Sequence, residues 1–429
     1  MKSQRFAWFV SLMAAFGLLA CGTSKDPIDP GTDLRSEKQR IVAPDTSPEN
    51  LETLVDGNSR FALDMYALLA EGDENVFFSP YSISVALAMT WGGARNDTEA
   101  EIAGALHFNL PQADLHPALN YVDLELSSRG EGAEGADEEP FRLNVVNSIW
   151  GQVGHPFLDD FLDVLAVNYG AGLRLMDFTY DPDACGEVIN DWVEEKTEDR
   201  IQDLIPPGTL SDMTRLVLVN AIYFNAAWNT PFEEEYTLDA AFTTLAGAEV
   251  QVPTMHQDSD FPYTTDEEVQ VVELPYDGEE LSMVIMLPAQ GQFSAFESSM
   301  SLERINGLLD DLQPALVNLS LPRWTFTTPS MKLAQILSDL GMPGAFAGDA
   351  DFSGMDGQIF LYIGEVIHKA FIAVNEAGTE AAAATAVVMC GNAAPPEPVT
   401  FTADRPFIYM IRDIPTGSIL FMGRVTDPS

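Results

Sequence analysis

Residues 375–398 read NEAGTEAAAATAVVMCGNAAPPEP, and this stretch governs the interpretation of the whole chain. An alanine run favours helix, so a short surface helix or a flexible Ala/Gly linker is the simplest interpretation. An extended conformation fits better, because alternate residues of a strand share a face. Glu380, Ala382 and Ala384 then lie on one face. The other face is uncharged and mostly small: Thr379, Ala381, Ala383, Thr385, Val387 and Met389.

Proline and glycine placement supports the extended interpretation. No proline occurs from Glu376 through Ala394, whereas Pro395 and Pro396 follow directly. Proline would remove a ladder donor and block a central strand. Gly378 can supply the unusual dihedrals of a hinge. We therefore predict an exposed, cleavable segment that is able to enter a β-sheet.

The remainder of the chain predicts one α+β domain at 48–429. Helical patterns dominate its first part, including a helix opened by Ser79 and Pro80. Strand patterns dominate later, among them the apolar run 216–224 and a hairpin around Asp277 and Gly278. Residues 331–340 read as helical. No repeat and no internal linker follows residue 47.

Charge narrows the choice of partners. The chain carries 66 Asp plus Glu against 21 Lys plus Arg, a formal net charge of -45. Such a surface repels nucleic acid and heparin-like polyanions. Its simplest role is solubility, and the alternative is electrostatic steering of a cationic partner.

The sequence offers no catalytic or metal signature. CxxC, HExxH, GxSxG and GxxxxGK[ST] are absent. The stretch from Asp349 to Gly354 copies the start of an EF-hand loop, but Phe360 stands where the bidentate Glu belongs. We therefore predict a protein that is not an enzyme and that needs neither metal nor cofactor.

The N-terminus predicts export. Lys2 and Arg5 precede an apolar stretch, 6–19, that is too short to span a bilayer. The sequence Leu-Leu-Ala-Cys ending at Cys21 resembles a bacterial lipobox, which predicts a signal peptide at 1–20 and lipidation of Cys21. An ordinary secretory signal with a chance cysteine is the alternative. Gly22, in place of Asp, favours the outer membrane or cell surface, and 21–47 reads as a flexible tether.

Several motifs resemble the serpin family, and they occur in the family's order over nearly the whole chain after residue 47. The hinge-like stretch 376–385 is joined by six others. These are NVFFSPYSIS at 75–84, VNAIYFNAAW at 219–228, LPY at 274–276, DFSG at 351–354, HKA at 368–370 and DRPFI at 404–408. The resemblance implies three β-sheets, about nine helices and an exposed reactive-centre loop. It also implies a monomeric suicide inhibitor of proteases.

Family positions can be carried over residue by residue. The hinge maps onto Glu376, Gly378, Thr379, Ala381, Ala382, Ala383, Ala384 and Thr385. The resemblance implies a polar cluster where the central strands part and two residues near the entry point of the loop. The polar cluster is Ser79, Ser82, Asn220 and His368, and the two residues near the entry point are Trp228 and Arg323. We predict an ion pair between Arg323 and Glu376.

The register of the family places the cleaved bond between Asn392 and Ala393. Asn suits a legumain-like cysteine protease, whereas Val388, Met389, Cys390 or Ala393 suits subtilisin-like or elastase-like serine proteases, which we favour. A non-inhibitory serpin that acts as a binding or scaffold protein is the alternative function. A disulfide between Cys185 and Cys390 stays open on the sequence alone, as does the turn at 198–201, where the family usually carries a Gly-Lys-Ile type sequence.

Overall fold

The structure is a computed structural model that describes residues 32–134, 140–359, 361–379 and 397–429. No helix within these ranges is long and apolar enough to cross a membrane. The described α-helices are α1 (Pro48–Leu69), α2 (Pro80–Trp91), α3 (Asn96–Ala105), α4 (Gln112–Ser127), α5 (Asp159–Tyr169), α6 (Pro182–Lys196), α7 (Phe293–Ser298), α8 (Leu302–Asp310), α9 (Ala334–Asp339) and α10 (Ser353–Asp356).

The strands lie mostly in the second half of the chain, as predicted. They are β1 (Thr32–Leu34), β2 (Val76–Phe78), β3 (Arg142–Gln152), β4 (Leu173–Met176), β5 (Leu216–Ala227), β6 (Leu238–Thr243), β7 (Glu249–Thr265), β8 (Val269–Pro275), β9 (Leu281–Pro288), β10 (Gln313–Pro322), β11 (Trp324–Thr327), β12 (Met331–Lys332), β13 (Glu365–Val374), β14 (Gly378–Thr379), β15 (Val399–Thr402), β16 (Phe407–Asp413) and β17 (Ile419–Val425).

The first sheet, which we call the central sheet, has the order β1-β4-β3-β5-β14-β13-β11, with β12 also paired to β13. Alternate residues of β5 enter two different cores. Leu218 and Ile222 join the large core that also contains α2, whereas Val217, Val219 and Ala221 pack in a smaller core beside α6. The central sheet is therefore covered on both faces, which explains the nearly continuous apolar sequence of β5.

The second sheet has the order β15-β10-β7-β8-β9-β16-β17-β2, with β6 paired to β7. The family resemblance implies three sheets, and the hydrogen-bonded pairing of the described strands gives two. The reason is β7, a strand of 17 residues that pairs with β6 and β10 along most of its length and with β8 at its end. One long strand thus joins what the resemblance treats as separate sheets.

The segment before α1 differs from the predicted tether. From Thr32 onward it lies against the domain, because β1 pairs antiparallel with β4 at the edge of the central sheet. Arg40 Nε donates to Asn120 Oδ1 over 2.8 Å, and Lys38 forms an ion pair with Asp163 over 2.6 Å. The polar composition of this segment suggested free chain, but its cations meet carboxylates on α4 and α5. Of the predicted tether, 21–31 lies outside the described residues.

The structure corrects one local prediction and describes the turn that the sequence left open. Residues 331–340 were predicted to be helical, but Met331 and Lys332 pair with His368 and Ile367 as β12, and only Ala334–Asp339 is helical. At the doubtful turn, Glu198 and Asp199 have φ values of 51° and 61°. That left-handed region favours glycine, so this chain makes the turn with two residues that are less suited to it.

Candidate functional site

The central sheet is parted at one end, and this parting forms the candidate site. Strands β5 and β13 are parallel and pair directly from Val217 with Glu365 up to Ile222 with Ala370. Beyond that point β14 lies between them. Gly378 and Thr379 pair antiparallel with Ala227 and Ala226 of β5, and Thr379 also pairs with Val374 of β13. Two residues near the start of the hinge-like stretch, Gly378 and Thr379, thus already occupy a strand position.

The chain reverses direction between β13 and β14. Residues of the turn after β5 donate hydrogen bonds to the backbone carbonyls of this reversal. The backbone N–H of Trp228 donates to the carbonyl oxygen of Ala377 over 2.8 Å, and its indole Nε1 donates to that of Asn375 over 2.9 Å. The N–H of Phe232 donates to the carbonyl oxygen of Glu376, also over 2.8 Å. We call this set of contacts the hinge clasp.

The predicted ion pair between Arg323 and Glu376 is present at the hinge. Arg323 Nε lies 2.7 Å from Glu376 Oε1, and Nη2 of the same guanidinium contacts that oxygen too. The hydroxyl of Thr237 also donates to Glu376 Oε1. The carboxylate side chain is only 6% exposed, whereas the Arg323 side chain is 41% exposed. The buried anion therefore depends on its partners more than the cation does.

Below the clasp, Thr379 is buried beside Tyr276. Its hydroxyl lies 2.8 Å from the hydroxyl of Tyr276, whose ring stacks on Trp228 with a centroid distance of 4.7 Å. Burial raises the pKa of Tyr276 well above its ordinary value, so the phenol stays neutral. The strand position of Thr379 thus has room for a small polar side chain and for little more.

Beyond the end of β14, where β5 and β13 pair directly, a row of polar side chains crosses three strands and faces α2. Asn147 of β3, Asn220 of β5 and His368 of β13 stand opposite one another. Asn220 Nδ2 donates to Asn147 Oδ1 over 2.5 Å and to Ser82 Oγ over 2.6 Å. Ser79 Oγ caps α2 by accepting from the N–H of Ser82 over 3.1 Å. The structure thus brings the four residues predicted for the polar cluster together.

The hydrogen bonds of His368 define its tautomer. The backbone N–H of Ser79 lies 3.3 Å from Nε2, which must therefore accept, and Nδ1 contacts Asn220 Oδ1, so it donates. Burial lowers the pKa of His368 from 6.5 to about 3. The imidazole is therefore neutral at physiological pH, and the row carries no net charge.

Sequence reasoning missed three contributors, namely Asn147, Thr237 and Tyr276. Asn147 was detectable as a polar residue within the mostly apolar strand sequence VVNSIW. Nothing local distinguished Thr237, and Tyr276 stood out only as part of the family-like stretch 274–276, because the roles of both residues arise only where distant segments meet at the hinge. Several predicted site residues lie outside the described residues: Cys21, Ala381, Ala382, Ala383, Ala384, Thr385, Asn392 and Ala393.

The EF-hand-like stretch has a structural role. Asp351 accepts from the backbone N–H of Ser353 over 3.1 Å and from Asn96 Nδ2 over 2.7 Å, so its oxygens hold the start of α10. Asp356 pairs with His155 over 2.8 Å. In the described part of the chain no group of three or more His, Cys, Asp or Glu side chains could hold a metal ion. Within the described residues Cys185 is buried and forms no disulfide, and burial raises the pKa of its thiol to about 11.

Comparison with known proteins explains why the short strand β14 lies between β5 and β13 at the parted end of the central sheet. The profile of the family described as Serpin (serine protease inhibitor) matches residues 56–428. This chain therefore belongs to the serpin family, whose members are known as protease inhibitors and not as catalysts.

Individual relatives agree with this assignment. An uncharacterized serpin-like protein of Thermococcus kodakarensis is 41% identical over 379 residues, which cover 87% of this chain and 86% of that protein. The leukocyte elastase inhibitor of Homo sapiens is 37% identical over 390 residues, which cover 88% of this chain and all of that protein. The native structure of the thermophilic serpin tengpin aligns with a TM-score of 0.77 and 28% identity, over 92% of this chain and 97% of that one.

Proposed function

We propose that this serpin inhibits serine proteases by trapping them covalently on the segment that joins β14 to β15. The protease serine attacks the carbonyl carbon of the scissile bond, the amine on the far side leaves with a proton, and an ester links the two proteins. Hydrolysis of this ester would release the protease. The proposal is that the cut segment first continues β14 down the central sheet and carries the protease with it, an instance of strand addition.

The position of Gly378 and Thr379 is the observation that supports this mechanism. They already pair with both flanking strands, and the same register leads on between Val217–Ile222 of β5 and Glu365–Ala370 of β13. Insertion replaces one direct ladder by two, a net gain of about a dozen backbone hydrogen bonds at ~1 kcal/mol each. This gain is comparable to the stability of a small protease, about 5–15 kcal/mol.

The test is incubation with a panel of serine and cysteine proteases, followed by boiling in detergent and electrophoresis. A covalent complex supports inhibition. Clean cleavage without a complex would instead indicate the alternative, a non-inhibitory serpin. The Ala382→Pro variant should lose the complex and keep the cleavage, because proline lacks the ladder donor. Ala382→Val is the matched control, because it keeps the donor and suits a strand.

For specificity we propose a protease of subtilisin-like or elastase-like preference, with cross-class trapping of a cysteine protease as a second outcome of the panel. Small and apolar residues dominate 386–394, and several relatives are leukocyte elastase inhibitors. Asn392–Ala393 is the bond that the family register favours, and the bonds after Val388, Met389, Cys390 or Ala393 are the other candidates. Mass spectrometry of the cleaved chain identifies the bond directly.

For localisation we propose export and a lipid anchor on Cys21, at the outer membrane or cell surface. The support is the lipobox-like sequence that ends at Cys21. The eleven Cα-to-Cα steps from Cys21 to Thr32 reach at most about 40 Å, so an anchored domain would stay close to the lipid surface. A Cys21→Ser variant should appear in the soluble fraction, whereas the unaltered chain should partition into detergent. We also propose a monomer, to be checked by light scattering on the protein without its anchor.

A further inference from the structure

Half of the large apolar side chains that are exposed in the described part of the chain lie at one end of the central sheet. Strands β3 and β4 end there and β5 begins there, so this end is opposite the hinge. Tyr180 is 75% exposed and Met213 is 63% exposed. We call this set the pole patch, and its members are Val153, Leu158, Tyr180, Met213 and Ile359.

Four short connections carry the pole patch, namely 153–158, 177–181, 211–215 and 357–359. Backbone hydrogen bonds of 2.9, 3.0 and 2.7 Å tie them to the ends of the strands and to α10: Val153 N–H to Met176 O, Gln152 N–H to Arg215 O and Leu158 N–H to Met355 O. These bonds gather the connections around one end of the sheet. Exposed apolar surface that is concentrated in this way indicates an interaction site, whereas single exposed residues do not.

The start of the described chain lies at the same end of the sheet. Strand β1 is antiparallel to β4, with Thr32 opposite Leu175 and Leu34 opposite Leu173. Because β4 runs towards the pole patch, Thr32 is the residue of β1 that lies nearest to it. Cys21 precedes Thr32 by eleven Cα-to-Cα steps, which reach at most about 40 Å. A lipid on Cys21 would therefore draw this end of the domain to the membrane. The hinge end, about 36 Å further along β5, could face the lipid only if those steps were almost fully extended.

The charges of the four connections indicate which lipid surface fits. They contain three carboxylates, Asp177, Asp181 and Asp212, and one cation, Arg215. Anionic headgroups repel such a surface, whereas phosphocholine and phosphoethanolamine headgroups carry no net charge. Tyrosine is enriched at membrane–water interfaces, because its ring is apolar and its hydroxyl stays hydrated, and Tyr180 is the most exposed member of the pole patch.

A covalent anchor allows a small apolar surface to hold a membrane. The five side chains of the pole patch form a weak site for a protein that is free in solution, since interfacial binding scales with the apolar area buried. Anchoring makes the contact intramolecular, with an effective concentration on the order of millimolar for a short tether. A patch that binds free vesicles poorly can therefore orient an anchored domain.

We propose that the pole patch rests on a zwitterionic lipid surface when the protein is anchored through Cys21. The inference depends on the lipid anchor that we propose for this chain, and it adds a fixed orientation to that anchor. The hinge end of the central sheet then points away from the lipid, so the cleavable segment faces approaching proteases. The contact belongs to the uncut protein, because insertion would carry a trapped protease towards this same end of the sheet.

The test is carbene footprinting of the lipidated protein in phosphatidylcholine vesicles, read residue by residue by mass spectrometry. The reference is the Cys21→Ser protein, with and without the same vesicles. Anchoring should slow the labelling of Tyr180 and Met213 at least about fivefold, because both side chains enter the headgroup region. Labelling of Tyr236, which is exposed beside the hinge, should change by less than about twofold. Phosphatidylglycerol in place of a third of the lipid should weaken the protection.

Two double variants of equal charge change separate the pole patch from exposed apolar residues elsewhere. Tyr180→Asp/Met213→Asp alters the pole patch, and Tyr236→Asp/Leu238→Asp alters two exposed apolar residues on the hinge side. The first variant should lose the protection of the remaining members of the patch, because carboxylates resist transfer into the headgroup region. The second variant should keep that protection.

Each outcome of the footprinting decides between the inference and the anchor. Equal labelling of Tyr180 and Met213 in the anchored and the unanchored protein overturns the inference and leaves the anchor intact. Protection that appears equally without vesicles indicates contact between copies of the chain and also overturns it, as does stronger protection on the anionic vesicles. If mass spectrometry finds no lipid on Cys21, the anchor itself is wrong.

Discussion

Replacing Arg323 by alanine should release the hinge, and the structure allows the size of the effect to be worked out. The Glu376 carboxylate is 6% exposed and accepts from Arg323 and Thr237. Removing one partner of a buried ion pair costs about 3–5 kcal/mol. Because Arg323 is 41% exposed, water already screens the pair, and Thr237 remains as a donor. We therefore expect ~2 kcal/mol, which corresponds to about thirtyfold in an equilibrium or rate constant.

The assay is conversion of the native protein to inserted or polymeric forms on mild heating, followed on native gels. The Arg323→Ala variant should convert about tenfold to thirtyfold faster than the unaltered protein. Arg304→Ala is the matched control, because it removes an arginine of similar exposure that pairs with Asp266, away from the hinge. The pair is also asymmetric, so Glu376→Gln should have a smaller effect than Arg323→Ala, since the freed Arg323 can be hydrated whereas the freed Glu376 cannot.

Conversion of Arg323→Ala at the rate of Arg304→Ala would refute the reasoning. It would mean that the backbone bonds of the hinge clasp alone set the barrier to hinge release. A Glu376→Gln variant faster than Arg323→Ala would contradict the burial argument specifically, while leaving the role of the ion pair intact.

Two further predictions concern His368 and Thr379 of the central sheet. Burial lowers the pKa of His368 from 6.5 to about 3. Between these two pH values the unfolded chain binds a proton that the folded chain does not. Acid therefore destabilises the fold by about 1.4 kcal/mol per pH unit. The stability advantage of the unaltered protein over His368→Gln, from urea unfolding, should therefore fall by ~2 kcal/mol from pH 7 to pH 5, and a constant advantage would contradict this. Thr379→Arg should turn the protein into a substrate that is cleaved without forming a complex, because its buried position beside Tyr276 cannot hold a guanidinium, whereas Thr379→Ser should still form the complex on electrophoresis.

The parts of the site that could be predicted from the sequence are those encoded by residue type in contiguous stretches. The small, proline-free hinge and the capped start of α2 are local patterns, and the resemblance carried Arg323, Asn220 and His368 to their places. The roles of Thr237 and Tyr276 could not be found in this way, although Tyr276 lies in the family-like stretch 274–276, because neither role exists until the hinge packs against these residues. The contacts of Arg40 and Lys38 with the domain could not be predicted for the same reason, since their carboxylate partners lie more than 80 residues further along the chain.

The register of β14 makes one last prediction about Thr385. Thr379 pairs with Ala226 and Val374, so a continued antiparallel strand would set Thr385 opposite both Asn220 and His368. These two side chains bond directly now, across neighbouring strands. A strand between them would add about 4.8 Å to their separation and break that bond. A hydroxyl can restore both contacts, by accepting from His368 Nδ1–H and donating to Asn220 Oδ1.

Thr385→Val keeps the volume and removes the hydroxyl, so insertion would leave a buried donor and a buried acceptor unpaired. Each unpaired group costs about 1–3 kcal/mol, which should slow insertion. A larger share of the ester would then hydrolyse before trapping, and more inhibitor would be cleaved per complex formed. Thr385→Ser should behave like the unaltered protein, because it keeps the hydroxyl. Titration of inhibitor against a fixed amount of protease measures this ratio, and equal ratios for the Val and Ser variants would mean that the inserted strand follows a different register.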